Sequence, residues 1–238
     1  MSFKPPVWSG PGKSGGKASE HPQEYPWRVF LFLSFTMGNM LSNKENDSKL
    51  DHTDLSRKFQ SGNLILVGMM GSGKTTMGRA LARHLHKAFA DSDEEIQKRT
   101  GVNIPHIFDI EGEPGFRLRE TAVLSDLVKR DNIVLATGGG MVLAEKNRAL
   151  MKQSGIVVYL RASVNDLWHR TRHDRNRPLL QTPDPFGKLT ELYQQRDPLY
   201  RQVADIVVQS GKQSVLNLML QLVDEIEKFR TVFQTEAR

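Results

Sequence analysis

From Gly62 onward, short apolar runs alternate with stretches in which apolar residues recur every three or four positions. This alternation is typical of parallel strands joined by crossover helices. The candidate strands are the short runs at residues 63–67, 88–90, 133–136, 156–160 and 206–208. Five such strands separated by helices predict a three-layer α/β/α domain built on a five-stranded parallel sheet.

The last helix has the clearest periodicity in the chain. Its apolar side chains recur at three- and four-residue steps, and polar side chains occupy the opposite face. The apolar stripe comprises Val215, Leu218, Met219, Leu222, Val223 and Ile226. Such a stripe predicts a helix packed on the core rather than a cofactor site.

Residues 1–61 differ from the rest of the chain. Residues 9–16 are rich in Gly, Pro and Ser, and residues 43–58 are polar without apolar periodicity, which predicts a poorly ordered leader. The apolar stretch at 29–35 is far shorter than the roughly 20 residues of a membrane-spanning helix, and no small-residue cleavage site follows it. We therefore expect neither a membrane span nor export. An alternative is that translation starts at Met37 or Met40.

The composition is that of an ordinary folded domain. Of 238 residues, 38% are hydrophobic, which is enough to bury a core. There is no cysteine, so disulfide scaffolds and thiolate metal sites are excluded. The net charge of +6 comes from 33 basic and 27 acidic residues that are interspersed rather than grouped. This distribution fits an anionic ligand and argues against nucleic acid as the main partner.

A phosphate-binding loop follows the first candidate strand. Residues 68–75 read GMMGSGKT, which matches G-x-x-x-x-G-K-[ST], and residues 76–86 after them have a helical pattern. Glycines let the backbone wrap a phosphate with its N–H groups, and the positive end of the next helix points at the same anion. Lys74 is expected to reach the β- and γ-phosphates of a nucleoside triphosphate, and the Thr75 hydroxyl to bind Mg²⁺.

Two carboxylates follow the second candidate strand, in the sequence Asp91-Ser92-Asp93. On an extended segment, side chains at i and i+2 share a face, so both carboxylates can point at the phosphate end of the sheet. One would support Mg²⁺ through water while the other accepts a substrate hydroxyl. The alternative is that Ser92 or Asp93 caps the next helix, and these residues alone do not decide between the two.

Arg117 follows Phe116 in a turn that contains Gly and Pro and leads into a helix. An arginine held in place is suited to bidentate capture of a carboxylate. The alternative is a surface ion pair with Glu113 or Glu120.

Three glycines, 138–140, leave the third candidate strand. They predict close approach of the backbone to a ligand, at the strand ends where open parallel sheets bind ligands. The alternative is a flexible turn.

Four arginines lie between residues 170 and 177, and prolines follow at 178, 183 and 185. This basic, proline-containing stretch favours a mobile lid that places an arginine over a transferring phosphate. The alternative is a solvated basic loop.

In combination, these segments resemble the shikimate kinase family over residues 62 to about 229. The resemblance is carried by residues 68–75, 91–93, 112–117, 138–140, 177–180 and 196–200, the last reading RDPLY. It implies ATP-dependent phosphorylation of the 3-hydroxyl of shikimate, which gives shikimate 3-phosphate and ADP on the way to the aromatic amino acids. It also implies a nucleoside-monophosphate-kinase type of fold over 62–238, with a substrate-binding subdomain and a lid at about 173–186. The expected enzyme is a cytoplasmic monomer whose partners are shikimate and ATP, with Mg²⁺, and not nucleic acid or membrane.

The resemblance also assigns roles by position. The expected catalytic residues are Lys74, Asp93 and Arg177. The expected ATP contacts are Gly71, Ser72, Gly73, Lys74, Thr75, Thr76, Arg170, Arg177 and Gln213, with Arg170 stacked on adenine. The expected shikimate contacts are Asp93, Arg117, Gly138, Gly139, Gly140 and Arg196, with the two arginines on the carboxylate. Thr75 is expected to bind Mg²⁺ directly and Asp91 through water.

Two other functions compete with this one. The first is a different small-metabolite kinase of the same fold, such as a gluconate kinase, from which Arg117 and the three glycines distinguish the chain. The second is a nucleotide-dependent module that binds nucleic acid through the basic stretch. No aromatic residue lies between Arg170 and Arg177, which argues against stacking on single strands.

Overall fold

The computed structural model describes residues 62–174, 177–211 and 213–236. The leader predicted at 1–61 lies outside these residues, as do the alternative starts Met37 and Met40 and one arginine of the predicted lid, Arg175.

Five parallel strands form one sheet in the order β2-β3-β1-β4-β5. They are β1 (Asn63–Val67), β2 (Ala88–Asp91), β3 (Ile133–Ala136), β4 (Gly155–Arg161) and β5 (Ile206–Gln209). The five predicted strands are therefore confirmed; β2 and β5 are one residue longer at their carboxyl ends, and β4 is one residue longer at each end. All five residues of β1 are buried, as expected of a central strand covered on both faces.

Seven α-helices accompany the strands within the described residues. They are α1 (Lys74–His84), α2 (Ser92–Thr100), α3 (Ile104–Leu127), α4 (Glu145–Ser154), α5 (Val164–Thr171), α6 (Pro185–Val203) and α7 (Val215–Glu236), with short 3₁₀ helices at Met141–Leu143 and Pro178–Leu180. The helix predicted at 76–86 begins and ends two residues earlier, at 74–84, and its N-cap is Gly73 in the left-handed conformation (φ 93°). Of the helices described, none is long and apolar enough to cross a bilayer.

The strands send alternate side chains into two apolar layers. Leu64 and Leu66 pack with α1 and α7 on one face, whereas Ile65 and Val67 pack with α2 to α6 on the other. This arrangement confirms the predicted three layers. The stripe of α7 also lies in the core, with one exception: Val215 is exposed at the rim of a cavity.

The carboxyl ends of β1, β2 and β3 meet at one edge of the sheet. Between β3 and β4 the chain crosses over β1, and this change of direction is where open parallel sheets bind ligands. Thr137 donates to the Leu66 carbonyl from its backbone N–H at 3.1 Å and from its hydroxyl at 2.9 Å. These bonds hold the segment after β3 against the carboxyl end of β1.

Helix α3 is kinked where the sequence predicts a turn. Gly112 has φ 66° and ψ −176°, and Pro114 follows two residues later. Both residues interrupt helical geometry, so the expected turn is a break within a longer helical segment. Arg117 lies one turn beyond this break.

Candidate active site

A cavity of about 910 Å³ opens at the carboxyl edge of the sheet. The predicted site residues that line it are Gly71, Ser72, Gly73, Lys74, Thr75, Thr76, Asp91, Asp93, Gly139, Arg170, Arg177 and Gln213. The other four, Arg117, Gly138, Gly140 and Arg196, form an adjoining cluster beside Asp93 and Gly139. The structure thus brings the predicted residues to one place.

The loop after β1 is closed by contacts to its own backbone. Lys74 folds back over it, and its Nζ donates to the Met69 carbonyl at 2.8 Å. The Ser72 N–H donates to the same carbonyl at 3.1 Å. Gly71 is packed against α5, where a Cβ would lie 2.6 Å from Cγ2 of Thr171. The loop is therefore compact before any ligand enters it.

Lys74 lies in an environment that weakens its hold on the proton. Burial lowers the pKa of its ammonium to about 8. The carboxylates of Asp93 and Asp91 oppose this shift, and the positive charges of Arg177 and Arg196 add to it. An anion bound in the loop would stabilise the charged form.

Asp91 serves two purposes at once. Its Oδ2 accepts from the Thr75 hydroxyl at 2.8 Å, and its Oδ1 accepts from the Asp93 N–H at 3.0 Å. The N-cap of α2 is therefore Asp91, and the alternative in which Ser92 or Asp93 caps this helix is wrong. Because the two carboxylate oxygens face different partners, capping and a role beside Thr75 are compatible.

Asp93 stands in the first turn of α2, at the boundary between the cavity and the adjoining cluster. Its Oδ1 is buried and has no hydrogen-bond partner among the described residues. Burial raises the pKa of this carboxyl to about 6, and the negative charge of Asp91 adds to the effect, while Lys74 opposes it. The group is thus suited to accept a proton or a hydroxyl hydrogen near neutral pH.

Arg117 is held by two glutamates on its own helix. Its Nη1 donates to Glu120 at 2.6 Å, and its Nη2 donates to Glu113 at 2.5 Å. The side chain of Glu120 is 1% exposed and that of Glu113 44% exposed. The alternative of a surface ion pair is therefore wrong for Glu120, because the inner face of α3 carries that carboxylate into the protein.

Glu120 and Asp93 both present a carboxylate oxygen close to Gly138. A Cβ at Gly138 would lie 2.6 Å from Oδ1 of Asp93 and 2.6 Å from Oε1 of Glu120. Like the Asp93 atom, Glu120 Oε1 is buried without a partner among the described residues. Burial raises the pKa of Glu120 to about 7, although Arg117 opposes this rise. Two acceptor atoms at this point therefore remain for a ligand.

The glycine segment after β3 fits closely among these side chains. A Cβ at Gly140 would collide with the Arg117 guanidinium, whereas at Gly139 the nearest atom would be 3.5 Å away. The Gly138 N–H donates to the Ser92 hydroxyl at 2.8 Å, and the Gly139 carbonyl accepts from the Tyr200 hydroxyl at 2.5 Å. The segment is thus a fixed wall and not a flexible turn.

Arg196 approaches the cluster from α6. It is 1% exposed, and its Nε has no hydrogen-bond partner among the described residues. Burial lowers the pKa of its guanidinium, and the like charge of Arg117 adds to this, while Tyr200 opposes it. Two guanidinium groups close together, one with an unpaired donor, suit a carboxylate ligand.

The other end of the cavity carries the remaining predicted residues. Arg170 donates to the Gly71 carbonyl at 3.1 Å and to the Ser210 and Gly211 carbonyls at 2.8 Å each, so it links the loop to the segment after β5. Gln213 donates to the Gln209 carbonyl at 3.2 Å. In the predicted lid, Arg177 donates to Asp174 at 2.9 Å.

Three residues that shape the site were not predicted to do so. Glu120 lies in the buried stripe of α3 with Phe116, Val123 and Leu124, and that spacing is a signal that could have identified it. Ser92 and Tyr200 form hydrogen bonds with Gly138 and Gly139, which lie 46 and 61 residues away in the sequence. No local sequence pattern predicts such pairs.

The chain was compared with protein families, with individual proteins and with solved structures. Residues 70–227 match the family model described as shikimate kinase. A shikimate kinase from Nitrosospira multiformis is 63% identical over 166 residues, which cover 70% of this chain and 85% of the relative. A structure described as shikimate kinase from Acinetobacter baumannii in complex with shikimate is 48% identical, covers 73% of this chain and 97% of that one, and has a TM-score of 0.71. The chain therefore belongs to the shikimate kinase family.

Proposed function

We propose that this chain transfers the γ-phosphoryl group of ATP to the 3-hydroxyl of shikimate, giving shikimate 3-phosphate and ADP in the pathway to the aromatic amino acids. Membership of the shikimate kinase family supports this reaction. The observation that carries it is the adjacency of two surfaces: a phosphate-binding loop borders a cluster with two guanidiniums and two unpaired carboxylate oxygens. Shikimate bears one carboxylate and several hydroxyls, so it matches that cluster.

The loop and Lys74 hold the phosphates of ATP. Backbone N–H groups at residues 71–76 surround the β-phosphate, with the N-terminus of α1 behind them. The Lys74 ammonium turns from the Met69 carbonyl to the β- and γ-phosphates. Such fixed positive groups stabilise the charge that develops on the transferring phosphoryl group, which accounts for most of the rate.

The residues beside the loop fit Mg²⁺. A threonine hydroxyl and a carboxylate oxygen, 2.8 Å apart in Thr75 and Asp91, are the hard oxygen donors that this ion takes in proteins. Thr75 would hold the ion directly and Asp91 through water. When bound, the ion neutralises charge on the phosphates.

Asp93 handles the proton of the acceptor hydroxyl. The 3-hydroxyl oxygen forms its bond to phosphorus as the bond from phosphorus to the ADP oxygen breaks, and the hydroxyl proton passes to the Asp93 carboxylate. The unpaired Oδ1 of Asp93 supports this role, because it lies at the boundary between the loop and the cluster.

The shikimate carboxylate is held by Arg117 and Arg196, with residues 138–140 as the wall against which the ring lies. Glu113 and Glu120 keep Arg117 in position. At the other end, Arg170 and Gln213 flank the adenine, and Arg177 closes over the phosphates from the lid at about 173–186. We place the catalytic domain at 62–238, since every residue with a proposed role lies within it.

The experiment that tests this function is a coupled ADP-release assay with ATP and Mg²⁺. The acceptors are shikimate, gluconate, a nucleoside monophosphate and none. We expect ADP release that depends on shikimate alone. Release with gluconate only would favour a different metabolite kinase, and release stimulated by nucleic acid without any acceptor would favour an ATPase module.

Two neighbouring arginines of α3 provide matched variants for the substrate end. Arg117→Ala should raise KM for shikimate by about 10- to 100-fold, because a charge-assisted carboxylate contact contributes about 1.5–3 kcal/mol. Arg119→Ala should leave KM unchanged, since Arg119 is on the outer face and pairs with Glu111. Equal KM values in the two variants would remove the carboxylate role of Arg117.

We also infer a cytoplasmic enzyme that acts as a monomer, without nucleic-acid or membrane partners. Light scattering at the assay concentration should give the mass of one chain, and specific activity that falls on dilution would contradict this inference.

A further inference from the structure

Helix α6 is tied to the sheet at the residue next to Arg196. Asp197 accepts from the Tyr159 hydroxyl at 2.8 Å, from Arg161 Nε at 3.1 Å and from Arg201 Nε at 2.7 Å. Tyr159 and Arg161 belong to β4, so one carboxylate connects the helix to the strand beneath it. Its side chain is only 15% exposed.

The Asp197 carboxylate is held in its charged form. Burial alone would raise its pKa, but the hydrogen bonds from Arg201, Tyr159 and Arg161 together lower it below its usual value. Hydrogen bonds to an ionised acceptor are roughly twice as strong as neutral ones. Asp197 is therefore a firm anchor for α6 at neutral pH.

Tyr200 provides a second anchor, one helical turn after Arg196. Its buried hydroxyl donates to the Gly139 carbonyl at 2.5 Å, and its ring stacks on Tyr159 with centroids 4.9 Å apart. The helix is thus tied to the glycine segment whose next residue, Gly140, lies against the Arg117 guanidinium.

Arg196 and Arg117 differ in what directs them. Glu113 and Glu120 both accept from the Arg117 guanidinium, which sets its orientation. Among the described residues, no carboxylate forms an ion pair with Arg196, and its Nε has no hydrogen-bond partner; its guanidinium is hydrogen-bonded to the Tyr200 side chain. The direction of Arg196 therefore depends on where α6 places its backbone and on Tyr200, which belongs to the same helix.

We propose that Asp197 and Tyr200 are positioning residues, which fasten α6 to β4 and to Gly139 and so fix the angle at which Arg196 meets the shikimate carboxylate. This inference rests on the proposed function, from which the carboxylate role of Arg196 comes. Small displacements matter here, because a misplacement of about 1 Å can cost about 100-fold in an enzyme's efficiency.

The test uses Asp197→Asn, which removes the charge and one of the two acceptor oxygens, and Tyr200→Phe, which removes the hydroxyl; both variants keep the shape of the side chain. Each should raise KM for shikimate by about tenfold and leave KM for ATP and kcat at saturating shikimate within about twofold. A melting curve shows that each variant is folded under the assay conditions. If the residues only stabilise the fold, the active fraction falls and KM for shikimate stays the same, which would overturn the proposal.

A double-mutant cycle shows whether the effect passes through Arg196. In the Arg196→Ala background, neither Asp197→Asn nor Tyr200→Phe should raise KM further, because the group that they position is gone. Asp126→Asn is the control: this carboxylate also accepts from two basic side chains, Arg99 and Lys129, but lies outside the site. An equal rise in KM with and without Arg196 would overturn the positioning role.

The same variants separate this inference from the proposed function. An unchanged KM for shikimate in Arg196→Ala would remove the carboxylate role of Arg196 itself. A raised KM in Arg196→Ala, together with an unchanged KM in both Asp197→Asn and Tyr200→Phe, would overturn only the positioning role.

Discussion

The two ends of the active site, the phosphate-binding loop and the adjoining substrate cluster, are built in different ways. The phosphate end comes from one continuous stretch, residues 68–76, together with Asp91. Its polar groups already have partners in the protein: Lys74 donates to a carbonyl at 2.8 Å and Thr75 donates to Asp91 at 2.8 Å. This end therefore has its shape before ATP arrives, and binding exchanges one set of partners for another.

The substrate end is assembled from four separate elements: α2, α3, the segment after β3 and α6. Three of its polar atoms are buried without partners among the described residues, namely Asp93 Oδ1, Glu120 Oε1 and Arg196 Nε. An unsatisfied buried polar atom costs about 1–3 kcal/mol, and a ligand with complementary groups removes that cost. We therefore expect the phosphate end to be general for nucleotides and the substrate end to determine selectivity for the acceptor.

The largest effect is expected at the phosphate end. Lys74→Ala should lower kcat by about 100- to 1000-fold, because it removes a fixed charge from the transferring phosphoryl group. KM for shikimate should change little, since the substrate end does not use this lysine. Lys129→Ala, whose side chain is 75% exposed, is the control. A variant at position 74 with normal kcat would show that the loop is not catalytic.

A smaller and different effect is expected from two adjacent glycines at the substrate end. Gly140→Ala places a methyl group on the Arg117 guanidinium, which must move, whereas the Gly139→Ala methyl group has 3.5 Å to its nearest neighbour. KM for shikimate should therefore rise by about 10- to 100-fold in Gly140→Ala and by less than about threefold in Gly139→Ala. Similar KM values for shikimate in both variants would mean that the position of Arg117 does not determine how shikimate binds.

The same contrast explains what could be predicted from the sequence. The phosphate end is contiguous, so strand, glycines, Lys74 and Thr75 all appear in one short pattern. The strands were predictable because each is a short apolar run, and the three central strands are covered on both faces. The role of Asp91 was harder to predict, because a helix cap and a partner for Thr75 require the same residue type at nearly the same position. The structure shows that Asp91 does both, since each of its carboxylate oxygens accepts from a different partner.

The resemblance predicts which residues belong to the substrate end, and the structure brings them together, but the contacts among them could not be predicted. Arg117 and Arg196 were found through resemblance, yet nothing local shows that Glu120 is buried beneath Arg117 or that Tyr200 reaches Gly139. Those contacts join residues on different elements, and only the packing of α3 and α6 against the sheet brings them together. The burial that raises the pKa of Asp93 likewise depends on that packing.

A moderate effect is expected in the pH profile of activity, where Asp93 at the substrate end and Lys74 at the phosphate end should give separate limbs. Asp93 acts as a carboxylate, and its pKa of about 6 means that kcat/KM falls about tenfold for each pH unit below that value. Lys74 acts as an ammonium, and its pKa of about 8 means that kcat/KM for ATP falls above that value. Bound phosphates stabilise the ammonium, so the alkaline limb of kcat should lie at higher pH than that of kcat/KM for ATP. An acid limb near 4, where ordinary aspartates titrate, would contradict the burial of Asp93 as the cause.

The smallest effect is expected at Thr75, where only the hydroxyl group is needed at the phosphate end. Thr75→Ser keeps the hydroxyl that donates to Asp91, so kcat and the Mg²⁺ concentration for half-maximal rate should change by less than about threefold. Thr75→Val keeps the shape and removes that hydroxyl, so its requirement for Mg²⁺ should rise by about tenfold or more. Titration of Mg²⁺ at fixed ATP measures both. If valine behaves like serine, the hydroxyl is only a structural partner of Asp91; if serine behaves like valine, the methyl group matters and the phosphate end depends on packing as strictly as the substrate end does.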